Sequence, residues 1–363
     1  MALLTNISKT IRFTPVILKD KRRKSIPRIL YELVYLTVYH WSLPSFYFTR
    51  RLYMKEKKNI LDYLPNRFLY GIAERINDCG AAAVLNDKLF FDMYYSQFTG
   101  RLPKILSYNH EKKFIVEGKA YQVNSKGKLE ELLKDLTLKR SATGAIFIKK
   151  MFDSYGGMNT FRLTKEDFPV TREKLDKLYN SVRISAYLYQ DTIVQHPELN
   201  RVNPSCINSI RMDTFIDRDG NCDILSAFLR MSISNTHVDN TSSGGCYVGI
   251  DLKTGMLKKF GYSSITVTGG QVYTEHPVTG TVFQGFRIPF FEDVKSFVLN
   301  IAGINPSLRL IGWDVAVTPR GPVLIEGNCG YDLTGHDMIY GGYRKNPVFR
   351  KLLTELNEKK YLK

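Results

Sequence analysis

Apolar positions along this chain recur at two spacings. Helical spacing marks Lys128–Leu138, with leucines at 129, 132, 133 and 136, and Thr171–Val182, with Leu175, Leu178 and Val182 on one face. Glu292–Ala302 and Pro347 to about Lys359 read the same way, as do Tyr63–Asn77 and a segment opened by Asn86-Asp87-Lys88 and running through Phe98. Gly100-Arg101-Leu102-Pro103 breaks that segment before a strand at Lys104–Tyr108. Short apolar runs at Ala145–Ile148, Ala186–Val194 and Cys246–Ile250 are further strands. Two pairs of runs are hairpins: Asn208–Arg218 with Asn221–Met231 around Asp219-Gly220, and Leu308–Val317 with Pro322–Ile325 around Thr318-Pro319-Arg320-Gly321. Short apolar strands thus alternate with charged helical segments along the chain.

The second hairpin carries the most chemistry. Proline at the second turn position followed by glycine specifies a three-residue loop that pairs Thr318 with Pro322. Counting back along the ladder sets Asp314 opposite Glu326, and alternation puts Asn328 on the same face. Two facing carboxylates repel. Burying both unpaired costs on the order of several kcal/mol or forces one to hold a proton. A divalent cation resolves the conflict, and Asp, Glu and Asn oxygens are the ligands Mg²⁺ prefers. The plainer alternative is a surface hairpin with solvated acids, but valine, isoleucine and tryptophan occupy both faces. Asp314, Glu326 and Asn328 are therefore the candidate metal ligands.

In the first hairpin a two-residue loop puts Arg211 opposite Phe228 and Ser209 opposite Arg230. The arginines become diagonal neighbours that want an anion between them, and a polyphosphate suits. Read without that anion, they are two unrelated surface cations. Lys149-Lys150 ends the 145–148 strand just before Asp153-Ser154-Tyr155-Gly156-Gly157. A lysine beside a glycine loop can hold phosphate oxygens, although many solvent-facing lysines also follow strands. No G-x-x-x-x-G-K-[ST] stretch is present, so this is not a Walker loop.

Composition narrows the partners. The chain has 363 residues and a net charge of +17, which calls for an anionic partner. Paired Cys/His zinc spacing and the nucleic-acid-binding patterns are absent, so no nucleic acid is expected. Five scattered cysteines without a C-x-x-C pair fit a reducing compartment. The opening residues MALLTNISKTIRF lack a signal peptide's apolar run, and the protein is expected in the cytoplasm. The aromatic-rich segment Ile29–Phe48 approaches a membrane span in length, but Glu32, His40 and Pro44 interrupt it. Basic clusters at 19–24 and at Arg50, Arg51, Lys55, Lys57 and Lys58 flank it and would suit an anionic membrane surface at the inner face of the cell membrane. The alternative preferred here is one or two helices packed on the main body. The six histidines show no metal spacing and are expected to be structural.

Set in order, Asn86-Asp87-Lys88, Phe147-Ile148-Lys149, Asn208-Ser209-Ile210-Arg211, Asp239-Asn240 with Gly244-Gly245, and GWDVAV…GPVLIEGN resemble the ATP-grasp superfamily, and within it the sugar-transfer-associated group. The resemblance implies an α+β fold of two lobes, each bearing an antiparallel sheet, clasping ATP, with an N-lobe at 141–191 and a C-lobe with the metal site at 192–345. A basic helical region at 1–62, a preceding part at 63–140 and a C-terminal helix at 346–363 complete the chain. It implies that Lys88 and Lys149 reach the phosphates and that the loop bearing Ser154, Gly156 and Gly157 covers them. Gln190 and Asp191 would lie at the adenine–ribose hinge, where the family more often has glutamates. Arg211 and Arg230 would bind triphosphate or the reaction intermediate, with Asn240 beside them among the catalytic residues. Asp314, Glu326 and Asn328 would carry Mg²⁺. Cys329-Gly330-Tyr331 replaces the expected proline-bearing continuation, and Cys329–Gly342 would form a glycine-rich rim.

The activity so implied is an ATP- and Mg²⁺-dependent ligase joining a carboxylate to an amine (or thiol) through an acylphosphate, in surface-polysaccharide assembly. Its substrates would be small-molecule or glycan-linked carboxylates and amines. No side-chain nucleophile is needed, in keeping with the lack of a Ser-His-Asp or Cys-His constellation. The alternatives are an ATP-grasp kinase acting on a hydroxyl, and a non-catalytic nucleotide-binding accessory of a glycosyltransferase.

Overall fold

The computed structural model describes residues 20–152, 160–234 and 244–362. Helix α1 (Ile26–His40) starts at Ser25 with Pro27 in its first turn, where a missing N–H costs nothing. The expected helix over Tyr63–Asn77 is instead two short turns, Asn66–Leu69 and Ile72–Ile76, parted at Gly71 with φ +68°. Pro65 and the left-handed glycine outweigh the helical spacing. Helix α2 (Lys88–Tyr95) is capped by Asp87, whose carboxylate accepts from the Leu89 and Phe90 N–H groups.

The first sheet contains β1 (Ile105–His110), β2 (Lys113–Val116) and β3 (Lys119–Gln122), then helix α3 (Lys126–Asp135). Strands β4 (Ala145–Lys150) and β5 (Phe161–Thr164), helix α4 (Arg172–Val182) and β6 (Ala186–Asp191) complete this lobe. The order is β3-β2-β1-β6-β4-β5, and the helices' leucines 129, 133, 175 and 178 pack with Ile146 and Ile148. One sheet thus crosses the expected boundary at residue 141, because β1 pairs with β6 from beyond it. That pairing is non-local, and nothing in the local pattern reports it.

The second sheet runs β11-β10-β9-β8-β7-β12-β13. Its strands are β7 (Ile210–Ile216), β8 (Cys222–Met231), β9 (Cys246–Ile250), β10 (Leu257–Ser263), β11 (Val272–Tyr273), β12 (Leu310–Thr318) and β13 (Gly321–Asn328). Ile210 and Met212, Ala227 and Leu229, and Ile311, Trp313 and Val315 form its apolar face. That face packs on Val294, Val298 and Ile301 of helix α5 (Phe291–Gly303). Alternation therefore sends Arg211, Asp213, Ser226, Phe228, Arg230, Gly312 and Asp314 to the opposite face.

Both hairpin loops differ from expectation, yet the deep registers hold. Thr318 pairs with Gly321 rather than Pro322, giving a two-residue connection with Gly321 at φ +101°. A one-residue register shift between Asp314 and Val315 then restores Asp314 opposite Glu326. In the first hairpin the register shifts between Asp213 and Thr214, so that Arg211 still faces Phe228. A bulge in each hairpin absorbs the error of the turn rule.

The 329–342 stretch is not a plain loop, since it holds helix α6 (Thr334–Tyr340). Helix α7 (Pro347–Glu355) follows. The amino-terminal region is fixed to the second lobe by a buried ion pair, Arg50 Nε to Asp337 Oδ2 at 3.0 Å. Arg51 donates to the carbonyls of Gly270 (2.6 Å) and Ser263 (3.1 Å). Arg50 and Arg51 are thus interior anchors and not the leaflet-facing cations that the sequence offered. Among the described residues no helix is long and apolar enough to cross a membrane.

Candidate active site

The site starts from the Asp314–Glu326 pair. Asp314 is wholly buried, and burial alone would raise its carboxyl. Arg211 overrides that by donating from Nε to Oδ1 at 2.6 Å and from Nη2 to Oδ2 at 2.9 Å. Arg230 adds a contact at 3.1 Å to Oδ2. The carboxyl is consequently held well below the usual carboxylate range. The two arginines do share an anion, as the hairpin geometry demanded, but that anion is Asp314 itself. The premise that both facing carboxylates lack partners is corrected by these contacts. Arg230 is aimed by Ser209, whose hydroxyl accepts from Nε at 3.0 Å.

Glu326 has the opposite environment. Burial first and then Asp314 raise its carboxyl, while Lys88 and Lys149 pull it back. Both lysines arrive through one backbone contact: the Lys88 N–H donates to the Met151 carbonyl at 3.0 Å, joining the start of α2 to the end of β4. Between Lys149 and Lys150, the structure brings Lys149 inward at 8% exposure. Burial, aided by Lys88, pushes its ammonium down to about 8 against the pull of Glu326 and Asp92. Asp92, one helical turn beyond Lys88, is raised by burial to about 6. Asn328 completes the face, its amide donating to the Gly312 carbonyl at 3.3 Å and reaching Asp314 Oδ2 at 3.5 Å.

Four cationic side chains, Lys88, Lys149, Arg211 and Arg230, therefore surround two facing carboxylates. That surplus of positive charge in largely buried surroundings suits a polyanion such as a triphosphate. Asp314, Glu326 and Asn328 lie together as expected. Asp314 is partnered by the guanidiniums, Asn328 by a backbone carbonyl, and Glu326 by Asp314. Glu326, disfavoured as an anion next to Asp314, is the side chain whose environment a divalent cation would improve most. The donor set fits Mg²⁺ on that ground.

Gln190 and Asp191 are both buried at the end of β6. Gln190 donates to the Pro103 carbonyl at 3.3 Å. Asp191 accepts from Ser141 Oγ (2.7 Å), Thr143 Oγ1 (2.6 Å) and the Ala142 N–H (2.8 Å). Asp191 thus holds the 141–143 turn. Ser154, Gly156, Gly157 and Asn240 lie outside the described residues.

A second polar group on the same face escaped the sequence reading. Asp213 Oδ2 accepts from Ser226 Oγ at 2.5 Å and pairs with His336 Nδ1 at 2.6 Å. Asp213 Oδ1 and the Tyr331 hydroxyl are buried without a hydrogen-bond partner among the described residues. Arg211 stacks on the Tyr331 ring at 5.6 Å, and Tyr331 and His336 lie 5.2 Å apart. Gly312 lets Arg211 and Asp213 pack closely against the strand, since a Cβ there would stand 3.1 Å from both Asp213 Oδ1 and Arg211 Cδ. Asp213 was detectable, being two residues from Arg211 on one strand face. His336 carried no local signal, because α6 brings it in from beyond the hairpin. His196 and His276 have structural bonds, to the Glu198 N–H and the Ser232 carbonyl.

A search of curated proteins gave no sequence match. Among solved structures the chain is similar to D-alanyl-alanine synthetase A from Vibrio cholerae, at 11% identity and TM-score 0.46, over 79% of this chain and 68% of that one. It is also similar to an N5-carboxyaminoimidazole synthetase from Staphylococcus aureus complexed with ADP, at 10% identity and TM-score 0.40, over 77% and 54%. A biotin carboxylase domain from Hydrogenobacter thermophilus in complex with MgADP gives 11% and 0.37, over 73% and 46%. The chain spans only about half the length of the latter two. A family model described as sugar-transfer associated ATP-grasp matches residues 70–346. That match takes in both sheets and the Asp314–Asn328 strand pair, and the chain belongs to the sugar-transfer associated ATP-grasp family, with its fold of two α+β lobes.

Proposed function

We propose that this protein is an ATP- and Mg²⁺-dependent ligase that activates a carboxylate as an acylphosphate and passes the acyl group to an amine. The observation that carries this reading is the convergence of Lys88, Lys149, Arg211 and Arg230 on the Asp314–Glu326 pair. Transfer of a γ-phosphoryl group needs positioning and neutralisation of charge more than a protein nucleophile. Lys88 and Lys149 would neutralise the phosphates from the first lobe, Arg211 and Arg230 the transferring group from the second. Bound Mg²⁺ would supply charge neutralisation at the phosphoryl oxygens. Glu326 and Asn328 would hold it, and Asp314 would join them as its guanidiniums turn to phosphate.

The Asp213–His336 pair is the acid–base element nearest the arginines. Its Nδ1 contact fixes the imidazole, which leaves Nε2 as the atom to take a proton from an incoming amine. The substrate proposed is a glycan-linked carboxylate or amine in surface-polysaccharide assembly, alongside a glycosyltransferase; the family description, sugar-transfer associated, supports the link to sugars.

Isothermal titration of ATP with and without Mg²⁺, on the native protein and on Glu326→Gln, tests the site. The expectation is metal-dependent binding that the substitution abolishes. Equal binding by both proteins refutes the metal assignment, and no binding by folded native protein refutes the enzyme. Turnover with carboxylate and amine panels then separates the chemistry. Free phosphate with ADP indicates ligation, whereas phosphate kept on the acceptor indicates a kinase.

A further inference from the structure

Helix α1 is apolar on two sides. Its inner face buries Ile29 and Leu36, and Glu32 is satisfied there by Lys24, Arg28 and the Tyr47 hydroxyl. Its outer face presents Leu30, Tyr31, Val34, Val38 and, just past the helix end, Trp41. These follow a spacing of three or four residues, so they form one ridge. A helix of this length is about 22 Å long at 1.5 Å per residue. Val34 is 65% exposed and Trp41 88%. A continuous exposed ridge of large apolar side chains marks an interaction surface.

Charge decides the occupant. Apart from the buried Arg50 and Arg51, residues 20–58 contain eight lysines and arginines against three carboxylates. Neither carboxylate near the ridge is available: Glu32 is buried and Asp20 is paired with Arg22. Lys21 and Arg28 lie at one end. Arg344 and Lys360 flank the ridge, stacked on Tyr39 at 5.7 and 5.6 Å. Two copies meeting through this face on a twofold axis would bring like charges together, which disfavours a symmetric dimer. An apolar ridge with tyrosines and a terminal tryptophan inside a cationic rim matches the interfacial layer of an anionic bilayer. We infer that α1 docks the protein flat on an anionic lipid surface, its outer ridge in the interfacial layer and its cations against the headgroups. The inference is independent of the proposed ligase activity.

The test is co-sedimentation with vesicles of phosphatidylcholine alone, or mixed with phosphatidylglycerol at roughly three to one. The protein has two tryptophans, and Trp313 is buried, so the change in emission reports on Trp41. Native protein is expected to sediment only with the mixed vesicles, to be released by salt, and to show a blue shift. The exposed double variant Val34→Glu/Val38→Glu should lose at least about tenfold in partitioning while keeping its melting temperature and ATP binding. Trp41→Phe should remove the spectral change yet still sediment. Absence of native binding, or binding untouched by the double variant, overturns the proposal. So does a vesicle-free dimer, detected by sedimentation velocity, that the double variant dissociates.

Discussion

Arg211→Met is the sharpest perturbation of the site's internal balance. Methionine keeps most of the side-chain length but removes both short contacts to Asp314. Asp314 has no exposure, so its charge cannot turn to water. Losing one partner of a buried pair typically costs about 3–5 kcal/mol. Arg230 remains at 3.1 Å, which places the expected loss near the lower end, about 3 kcal/mol. Urea unfolding followed by Trp313 fluorescence, in a Trp41→Phe background, measures it. Adding Asp314→Asn removes the stranded charge and should recover about 2 kcal/mol, a coupling typical of residues in direct contact. The pH dependence has a definite sign. Asp314's carboxyl is depressed in the folded state, so its contribution is present above the ordinary carboxylate range and is lost as pH falls. In Arg211→Met that loss should begin at a higher pH. A cost below about 1 kcal/mol, or no recovery in the double variant, would refute the claim that the arginines neutralise a buried charge.

Two further outcomes follow from the lysine and hinge assignments. Burial pushes the Lys149 ammonium down to about 8, and it must be charged to hold phosphate, so ATP affinity should fall as pH rises through about 8. Titrations from neutral to alkaline pH should show this, and Lys149→Arg should flatten the profile; a slope equal in both proteins would contradict it. Asp191→Asn should lower stability by about 2 kcal/mol, because the 141–143 turn loses charge-assisted hydrogen bonds. ATP affinity should stay within about twofold in that variant, whereas a ribose contact would make it fall about tenfold or more.

Local rules made much of this protein readable. Turn residues and alternation placed Asp314 against Glu326 and Arg211 against Phe228, because a pleated strand fixes which side chains share a face. Trp313, one residue over, belongs to the core for the same reason. A Cβ on Gly327 would stand 2.9 Å from the Trp313 ring, which accounts for the glycine before Asn328. The sequence also contained the order of motifs that marks the family. It could not supply the bulges that correct both hairpin registers, since these depend on how neighbouring strands twist and pair.

What only tertiary structure decided was electrostatic and non-local. Asp314's partners come from β7 and β8, about a hundred residues away, and they turned an expected unpaired charge into a neutralised one. The choice of Lys149 over Lys150 rests on which face of β4 meets α2. Arg50 and Arg51, counted among surface cations from composition, proved to be interior anchors, while Leu30, Val34 and Val38 of α1 stayed outside. Sequence reports which residues can share a face, because that is set by backbone geometry. It does not report which faces meet, because that depends on burial and charge summed over the whole chain.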